Sequence, residues 1–409
     1  MLGDYWLIIA ISLFIASLAL RQVPLLLLSL LFFLASGAAR LWGRYCLERV
    51  EYRRKLSSNR VFFGEEVQLD VEVANRKPLP LPWIQIDDEM PIEVTFLKGK
   101  LSPSHKVTRV VLTNLLPLSW YHKVKRRYHL RCGQRGYFSL GPASIHSGDI
   151  FGFFRREMQT EQADHLMVYP KIVPLEKLGI PSKQPVGDIR PKSHIFHDPI
   201  LTQGVREYHF GDSLKRIHWK TTARLGQLQT KVFEPTTTID MGIFLDVRTT
   251  KPPYWGTIPE LHELAIVVAA SLSNHALAEG YRVGLYINQN RWFSDQLIRM
   301  PPSQHTDQLL HILETLAQIH PFETMPIARL VQNESKNLQW ESTLVVITAA
   351  PTDDLLATMS NMKRAGRRVA LITIGGPETA PSNNGLAVYH VRDDVPWRQL
   401  ETLSIGGKQ

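Results

Sequence analysis

The sequence predicts a mixed fold: an N-terminal transmembrane helical hairpin, a small β-sandwich and a doubly wound α/β domain. Three changes of pattern indicate it: an almost wholly apolar start, a stretch in which apolar and polar residues alternate, and a final part in which apolar runs alternate with amphipathic segments. The predicted boundaries are 1–41 for the hairpin, 42–58 for a basic juxtamembrane segment, 59–168 for the β-sandwich, 169–203 for a connector, 204–235 for a charged signature segment and 236–409 for the α/β domain.

The hairpin is predicted from two apolar runs, DYWLIIAISLFIASLAL and VPLLLLSLLFFLASGAA, which only Arg21 and Gln22 separate. Each run is slightly shorter than the roughly 20 residues that cross a bilayer comfortably. A cleaved signal peptide is the alternative. It is disfavoured because no Lys or Arg precedes the first run and because a second apolar run follows directly.

The orientation of the hairpin is predicted from the basic residues that follow it. Because cytoplasmic flanks are enriched in Lys and Arg, both termini and the soluble domains are expected in the cytoplasm, beneath a cell membrane crossed twice. Contacts of the same residues with anionic headgroups account for part of the net charge of +9 without nucleic acid. The basic cluster comprises Arg40, Arg44, Arg49, Arg53, Arg54 and Lys55.

The β-sandwich is predicted from strict alternation, as in VQLDVEV (67–73), followed by further short strands between Gly, Pro and Asn residues. The basic run KVKRR (123–127) is either a phosphate-binding site or, as is commoner, one solvated face of a strand. Two distant cysteines, Cys46 and Cys132, form neither a disulfide framework nor a zinc site and fit a reducing compartment. His194 and His197 lie in the breaker-rich connector, where a metal site is disfavoured.

The α/β domain is predicted from four buried-type runs, MGIFLDV, RVGLYIN, STLVVITA and RVALITI, with helix-like segments between them. No Gly-rich phosphate loop, nucleophile elbow or His-Glu-x-x-His motif accompanies them, which argues against the common nucleotide-binding folds and hydrolases. Asp246, Arg248 and Thr250 alternate after the first run, so all three could face the crevice at the strand ends.

The signature segment permits three interpretations. Asp212, His218 and Asp246 have the residue types of a hydrolase that works by acid–base chemistry. A basic and aromatic set would suit nucleic acid instead; it comprises Lys215, Arg216, Trp219, Lys220 and Arg224. The favoured interpretation is a charged scaffold, with or without an exposed docking edge.

The scaffold interpretation makes specific expectations. The apolar residues would be core anchors, Asp212 would cap a turn or helix that begins at Ser213, and Glu207 would form an ion pair with Arg224. The expected anchors are Tyr208, Ile217, Trp219 and Leu228.

The signature contains a characteristic set of residues: Arg206, Glu207, Tyr208, Gly211, Asp212, Arg216, Ile217, Trp219, Lys220, Ala223, Arg224, Gly226, Leu228 and Glu234. This set resembles the signature of a bacterial family called domain of unknown function 58. The resemblance implies a membrane anchor, a von Willebrand factor A-like domain and work beside a MoxR-type AAA+ ATPase, sometimes with a transglutaminase-like membrane protein, in a cell-envelope or stress-related process. It implies no known reaction.

Von Willebrand A domains commonly bind Mg²⁺ through Asp-x-Ser-x-Ser, a later Thr and a later Asp. By this resemblance Asp246 keeps the first position, Arg248 replaces the first serine, Thr250 stands for the second, and Thr324 is the candidate for the later Thr. A permanent cation beside the ion's place could neutralise Asp246 itself. We therefore expect a degenerate site without metal or cofactor, and a non-enzymatic interaction protein that does not bind nucleic acid.

Overall fold

The computed structural model describes residues 2–19, 23–97, 99, 101–150, 152, 154–178, 197–208, 217–235, 239–250, 256–292, 294–376 and 385–407. The chain forms two compact units, of which the first comprises Met1–Lys171 with Leu313–Gln318 and the second Ile172–Ile312 with Ile319–Gln409. Helices and several sheets are both present, so the mixed α/β class is confirmed.

The helices, in chain order, are α1 (Leu2–Ala19), α2 (Val23–Tyr45), α3 (Trp219–Leu225), α4 (Pro259–Ala278), α5 (Gln308–Gln318), α6 (Ile327–Glu334) and α7 (Asp353–Arg364). The strands of the first unit are β1 (Val50–Leu56), β2 (Arg60–Phe62), β3 (Glu66–Asn75), β4 (Leu81–Pro91), β5 (Val94–Phe96), β6 (Leu101–Pro103), β7 (Arg109–Leu118), β8 (Lys123–Cys132), β9 (Gly136–Leu140), β10 (Ala143–Gly148), β11 (Arg155–Gln159) and β12 (Asp164–Tyr169). Those of the second are β13 (Leu175–Leu178), β14 (His197–Glu207), β15 (Gln229–Pro235), β16 (Asp240–Leu245), β17 (Arg282–Asn290), β18 (Leu297–Ser303), β19 (Thr343–Thr348), β20 (Arg368–Ile374), β21 (Ala387–Val391) and β22 (Leu403–Gly407).

The N-terminal helices α1 and α2 pack against each other through small polar residues. The hydroxyls of Ser17 and Ser29 lie 3.0 Å apart and are buried, an arrangement typical of helices that associate in lipid. Two helices of the described chain, α2 and α4, are long and apolar enough to cross a membrane. In α4, 67% of the apolar stretch is buried inside the protein, so this helix is better explained as a core helix of the second unit.

The end of α2 differs from the prediction. The helix continues past residue 41 to Tyr45, and its last turns pack into the first unit, with Ala39 and Cys46 buried and Gly43 against Phe154. The predicted basic segment 42–58 is therefore helix and then strand β1. The cause is the apolar face of this stretch, which joins the core of the β-sheet unit.

Arg54 is the clearest correction in this segment. Its side chain is only 1% exposed and pairs with Asp88 at 2.7 Å and Asp164 at 3.0 Å, so it cannot contact headgroups. Its neighbour Arg53 is 70% exposed and so keeps the accessible position that the prediction requires of both residues. Because successive residues of a strand point to opposite faces, one arginine faces the core and the next faces water.

The first unit contains two antiparallel sheets, in the orders β1-β3-β8-β5 and β11-β10-β4-β7-β6, and a three-stranded sheet β2-β12-β9. The predicted alternation in β3 is confirmed, since Val67, Leu69, Val71 and Val73 are all buried. Residues of β3 and β8 share an apolar cluster with Met90 of β4 and Leu112 of β7, so the larger sheets pack face to face. Cys46 and Cys132 are buried free thiols.

The second unit is built on an eight-stranded sheet in the order β13-β22-β21-β20-β19-β16-β17-β18. Its five central strands, β21 to β17 in that order, are parallel. Helices α6 and α7 cover one face, in a cluster with Phe244, Leu344 and Leu371. Helix α4 contacts the same strands without joining that cluster, so it covers the opposite face. Coverage on both faces explains why these strands are apolar throughout.

The predicted connector 169–203 is partly regular structure. Strand β13 pairs in parallel with β22, and β14 begins at His197 and pairs with β15. Sequence patterns did not predict these strands because neither shows a clear alternation of apolar and polar residues. His194 lies outside the described residues.

Candidate functional site

The signature segment forms a β-hairpin interrupted by a short helix. Strands β14 and β15 are antiparallel, with Arg206 opposite Thr230 and Glu207 opposite Gln229, and Glu234 lies near the end of β15. Helix α3 comes between the strands. Gly211, Asp212 and Arg216, three of the predicted site residues, lie outside the described residues. The predicted Asp212 cap lies there too.

His218 positions helix α3. Its Nδ1 accepts a hydrogen bond from the backbone N–H of Thr221 at 3.1 Å and lies 2.8 Å from the Thr221 hydroxyl oxygen. The backbone N–H of His218 donates to the backbone carbonyl of Gln229 at 2.8 Å, and this bond connects the start of the helix to β15. Gly226, at φ +69°, ends the helix in the left-handed conformation. His218 therefore acts as a helix cap.

The surface of α3 is open to solvent, and no residue of the helix is buried. Trp219 is 67% exposed, and Leu225 and Leu228 are exposed too. Lys220 and Arg224 are exposed beside them. We call these five residues the α3 surface.

The expectation that Trp219 and Leu228 anchor the core is therefore wrong. Among the predicted anchors, Ile217 is buried and Tyr208 half-buried. The core is filled without the other two because Ile217 forms a bridge to Thr230 of β15 and takes the inward position.

Asp246 follows β16 at the carboxyl edge of the parallel sheet and is only 2% exposed. Its Oδ1 accepts from the side-chain amide of Asn288 at 2.8 Å and from the backbone N–H of Arg248 at 3.1 Å. Its Oδ2 accepts from the hydroxyl of Thr348 at 2.8 Å. The loop after the strand is fixed as well, since the N–H of Val247 donates to Asn288 Oδ1 at 3.0 Å. We call this set the Asp246 network.

The carboxyl of Asp246 is held by neutral donors. Burial raises its pKa to about 6, and the nearby Glu323 carboxylate adds to that rise, whereas the donors from Thr348, Arg248 and Asn288 oppose it. The guanidinium of Arg248 forms its ion pair with Glu323. The expectation that Arg248 neutralises Asp246 is thus corrected: only its backbone reaches that carboxylate, because Glu323 takes the charge.

The four predicted metal-site positions do not form a ligand set for a hard divalent cation, which needs several converging oxygens. Both Asp246 oxygens already accept hydrogen bonds inside the fold. The Thr250 hydroxyl donates to the carbonyl of Gly256 at 2.8 Å, and that of Thr324 donates to the carbonyl of Asn288 at 3.3 Å. The described residues contain no group of three His, Cys, Asp or Glu suited to a metal.

Three residues of this edge were missed from the sequence: Asn288, Thr348 and Glu323. A signal existed for the first two, because each is the polar residue at the end of an apolar run, RVGLYIN and STLVVIT. Carboxyl ends of neighbouring parallel strands meet at one edge of a sheet. The side chains of Asn288 and Thr348 could therefore have been expected to lie near Asp246. Glu323 carries no comparable signal.

Residues 204–379, which include both the α3 surface and the Asp246 network, match the model of a family described as "Protein of unknown function DUF58". Over these residues the chain is similar to the DUF58 family. An uncharacterized protein of Bacillus subtilis, YeaD, is 24% identical over 330 residues, which is 78% of this chain and 75% of that protein. The resemblance stated from the signature is confirmed.

Solved structures of low similarity also match parts of this chain. They include the CARDB domain of the PF1109 protein from Pyrococcus furiosus (10% identity, 29% of this chain and 91% of that chain, TM-score 0.20) and a cohesin module from a Clostridium perfringens family 33 glycoside hydrolase (13%, 29% and 96%, TM-score 0.20). The sporulation control protein Spo0M of Bacillus subtilis matches with 14% identity over 30% of this chain and 50% of its own, at a TM-score of 0.19. At these scores the likenesses carry no argument.

Proposed function

We propose that this chain is a non-enzymatic, membrane-anchored interaction protein that docks a MoxR-type AAA+ ATPase through the α3 surface. The observation that carries the proposal is the exposure of Trp219, Leu225 and Leu228 on a capped helix and the turn behind it. Exposed apolar residues grouped among charges mark interaction sites. Tryptophan is also enriched among residues that dominate binding energy.

The charge of the α3 surface indicates the chemistry of the partner. Lys220 and Arg224 are both exposed beside the apolar residues. A partner with an apolar pocket and an acidic rim would be complementary, and such charges accelerate encounter. The capping by His218 and Gly226 fixes the helix before binding, which lowers the entropic cost of docking.

The anchor in this proposal is the α1–α2 hairpin, inserted in the cell membrane with both termini and the soluble units in the cytoplasm. It is supported by the length and composition of α2 and by the outward exposure of its leucines, including Leu27, Leu28, Leu31 and Leu34. Exposed leucines along one helix would be costly in water and favourable in lipid.

The second unit is proposed as a von Willebrand A-like domain that serves as a scaffold rather than a metal-dependent adhesion module. The parallel sheet with helices on both faces supports the fold, and the Asp246 network supports the absence of metal chemistry. A hydrolase built on His218 and Asp246 is disfavoured because one is a helix cap and the other is buried among neutral donors. A transglutaminase-like membrane protein remains a further proposed partner.

The proposal is tested by affinity capture. The full chain, tagged and extracted in mild detergent, is expected to retain the MoxR-type ATPase of the same organism, with a nucleotide-dependent yield. A Lys220→Glu/Arg224→Glu variant should lose the ATPase, while Arg53→Glu, at an exposed site of the first unit, should keep it. Absence of the ATPase in every nucleotide state would contradict the proposal. Salt-sensitive capture of oligonucleotides by the α3 surface would favour nucleic-acid binding instead.

A further inference from the structure

A cavity of about 390 Å³ lies in the first unit where α2 meets the β-sheets. One wall is a single face of α2, since the spacing of the four helical residues is i, i+3, i+4 and i+7. The other wall is the turn after β3 and the end of the link between α2 and β1. The lining residues are Ala38, Leu41, Trp42, Tyr45, Glu48, Arg49, Lys77, Pro78 and Leu79.

The cavity lies at the depth where the proposed membrane span ends. Arg40 is the first charged residue after the apolar run of α2, and the helical lining residues extend from just before it to Tyr45. Trp and Tyr, both present in this wall, are the residues enriched at the membrane–water boundary. A ligand in the cavity would therefore reach it from the headgroup layer.

The lining combines an apolar interior with a net positive rim. Arg49 is exposed and forms no ion pair with any described residue, whereas the ammonium of Lys77 donates to the carbonyls of Cys46 and Glu48, the latter at 2.7 Å. The Glu48 carboxylate offsets one of these two charges, which leaves a net charge of +1 for the lining as a whole. The indole N–H of Trp42 is buried and has no hydrogen-bond acceptor among the described residues.

Arg49 is held at the rim by its backbone. It adopts φ +52°, in the left-handed region that non-glycine residues rarely occupy, and its carbonyl accepts from the N–H of Arg76 at 3.0 Å. A conformation of this kind persists where the surrounding structure imposes it. Arg49 is an exposed residue of the cavity lining, and no carboxylate of the described residues forms an ion pair with its guanidinium.

We propose that this cavity binds one anionic phospholipid, with an acyl segment against Leu41, Trp42 and Leu79 and the phosphate at Arg49. The inference rests on the membrane anchoring proposed above and not on the ATPase partner. It assigns to the junction of α2 and the β-sheets a lipid site that sets how the first unit lies on the membrane surface.

The test is native mass spectrometry of the full chain, delipidated in detergent and titrated with dioleoyl phosphatidylglycerol or dioleoyl phosphatidylcholine. The first phosphatidylglycerol molecule should bind more tightly than any later one. Its affinity should be about fivefold higher than that of phosphatidylcholine, because one basic residue attracts an anionic lipid by about 1 kcal/mol. Arg49→Asn, chosen because Asn tolerates positive φ, should abolish that preference. Ala38→Trp, at an exposed helical position, should weaken both lipids by filling the cavity.

The control is Arg131→Asn, which removes one charge from the same unit at the opposite end of β3, about 30 Å away along the strand. It should leave the preference unchanged. Equal binding of the two lipids, or phosphatidylglycerol binding that neither Arg49→Asn nor Ala38→Trp alters, would overturn the proposal. Failure of the anchoring itself is distinguishable, because the chain would then fractionate as soluble without detergent.

Discussion

The α3 surface and the Asp246 network lie in the same unit and differ in how their polar groups are satisfied. In the Asp246 network every carboxylate oxygen accepts a hydrogen bond and the side chain is 2% exposed. On the α3 surface Trp219 is 67% exposed and charged neighbours face solvent. A fully satisfied buried network specifies structure, whereas an exposed aromatic among charges is available to a partner.

This difference sharpens the roles expected from the sequence. The signature segment, expected to be a scaffold with or without an exposed docking edge, carries an open surface on α3. Asp246, expected at a degenerate metal site, is held inside the fold by hydrogen bonds. Both the signature segment and the sheet edge at Asp246 contain charged and polar residue types that are common in functional sites. The two regions differ in accessibility. Substitutions in the Asp246 network should therefore lower stability more than binding, and substitutions on the α3 surface should lower binding more than stability.

The largest stability effect is expected at a third site that shares the character of the Asp246 network. Arg54→Ala should lower the free energy of unfolding of the first unit by about 3–5 kcal/mol, because it leaves the buried Asp88 carboxylate without its cation. Arg53→Ala is the matched control and should cost less than about 1 kcal/mol. Denaturant unfolding of the full chain in detergent measures both. Equal losses would show that burial does not decide the effect.

A smaller loss is expected in the second unit. Asp246→Ala should destabilise it by about 3 kcal/mol, since the donors of Asn288 and Thr348 lose their buried acceptor. Capture of the ATPase by the folded fraction should persist. Asp393→Ala, at an exposed position, is the control. A variant that stays fully stable but no longer captures the ATPase would instead make Asp246 part of the binding site.

Asp246 should contribute to the pH dependence of the free energy of unfolding. Its pKa is raised from 3.8 to about 6 in the fold, so between these values the folded state holds a proton that the unfolded state has released. The contribution of Asp246 to the free energy of unfolding therefore falls as the pH rises through this window. Asp246→Asn should flatten that decline. An unchanged slope in the variant would place the titration elsewhere.

Sequence patterns predicted helices and strands well where the spacing of apolar residues matches the residues that the fold buries. The alternation of Val67, Leu69, Val71 and Val73 specifies one buried face, and apolar runs such as RVALITI mark strands covered on both faces. The signature residues predicted the family. These inferences depend only on neighbours along the chain, which the sequence displays directly.

Inferences that depend on distant partners failed. Arg54 reads as a membrane-flanking cation, because nothing local reveals Asp88 on another strand. Trp219 reads as a core anchor, because the burial of an aromatic depends on tertiary packing. Arg248 reads as a neutraliser of Asp246, since its pairing with Glu323 joins residues 75 apart. Tertiary structure, which no local pattern displays, decided each of these cases.

The central claim is tested most directly by measuring one variant in two ways. Trp219→Ala should change the free energy of unfolding by no more than about 0.5 kcal/mol, as expected of a surface residue. It should weaken the affinity for the MoxR-type ATPase by at least about 2 kcal/mol, the loss typical of a central aromatic. Trp120→Ala, at a tryptophan that is 66% exposed in the first unit, should alter neither quantity. A Trp219→Ala protein that loses several kcal/mol of stability yet binds the ATPase unchanged would contradict the account.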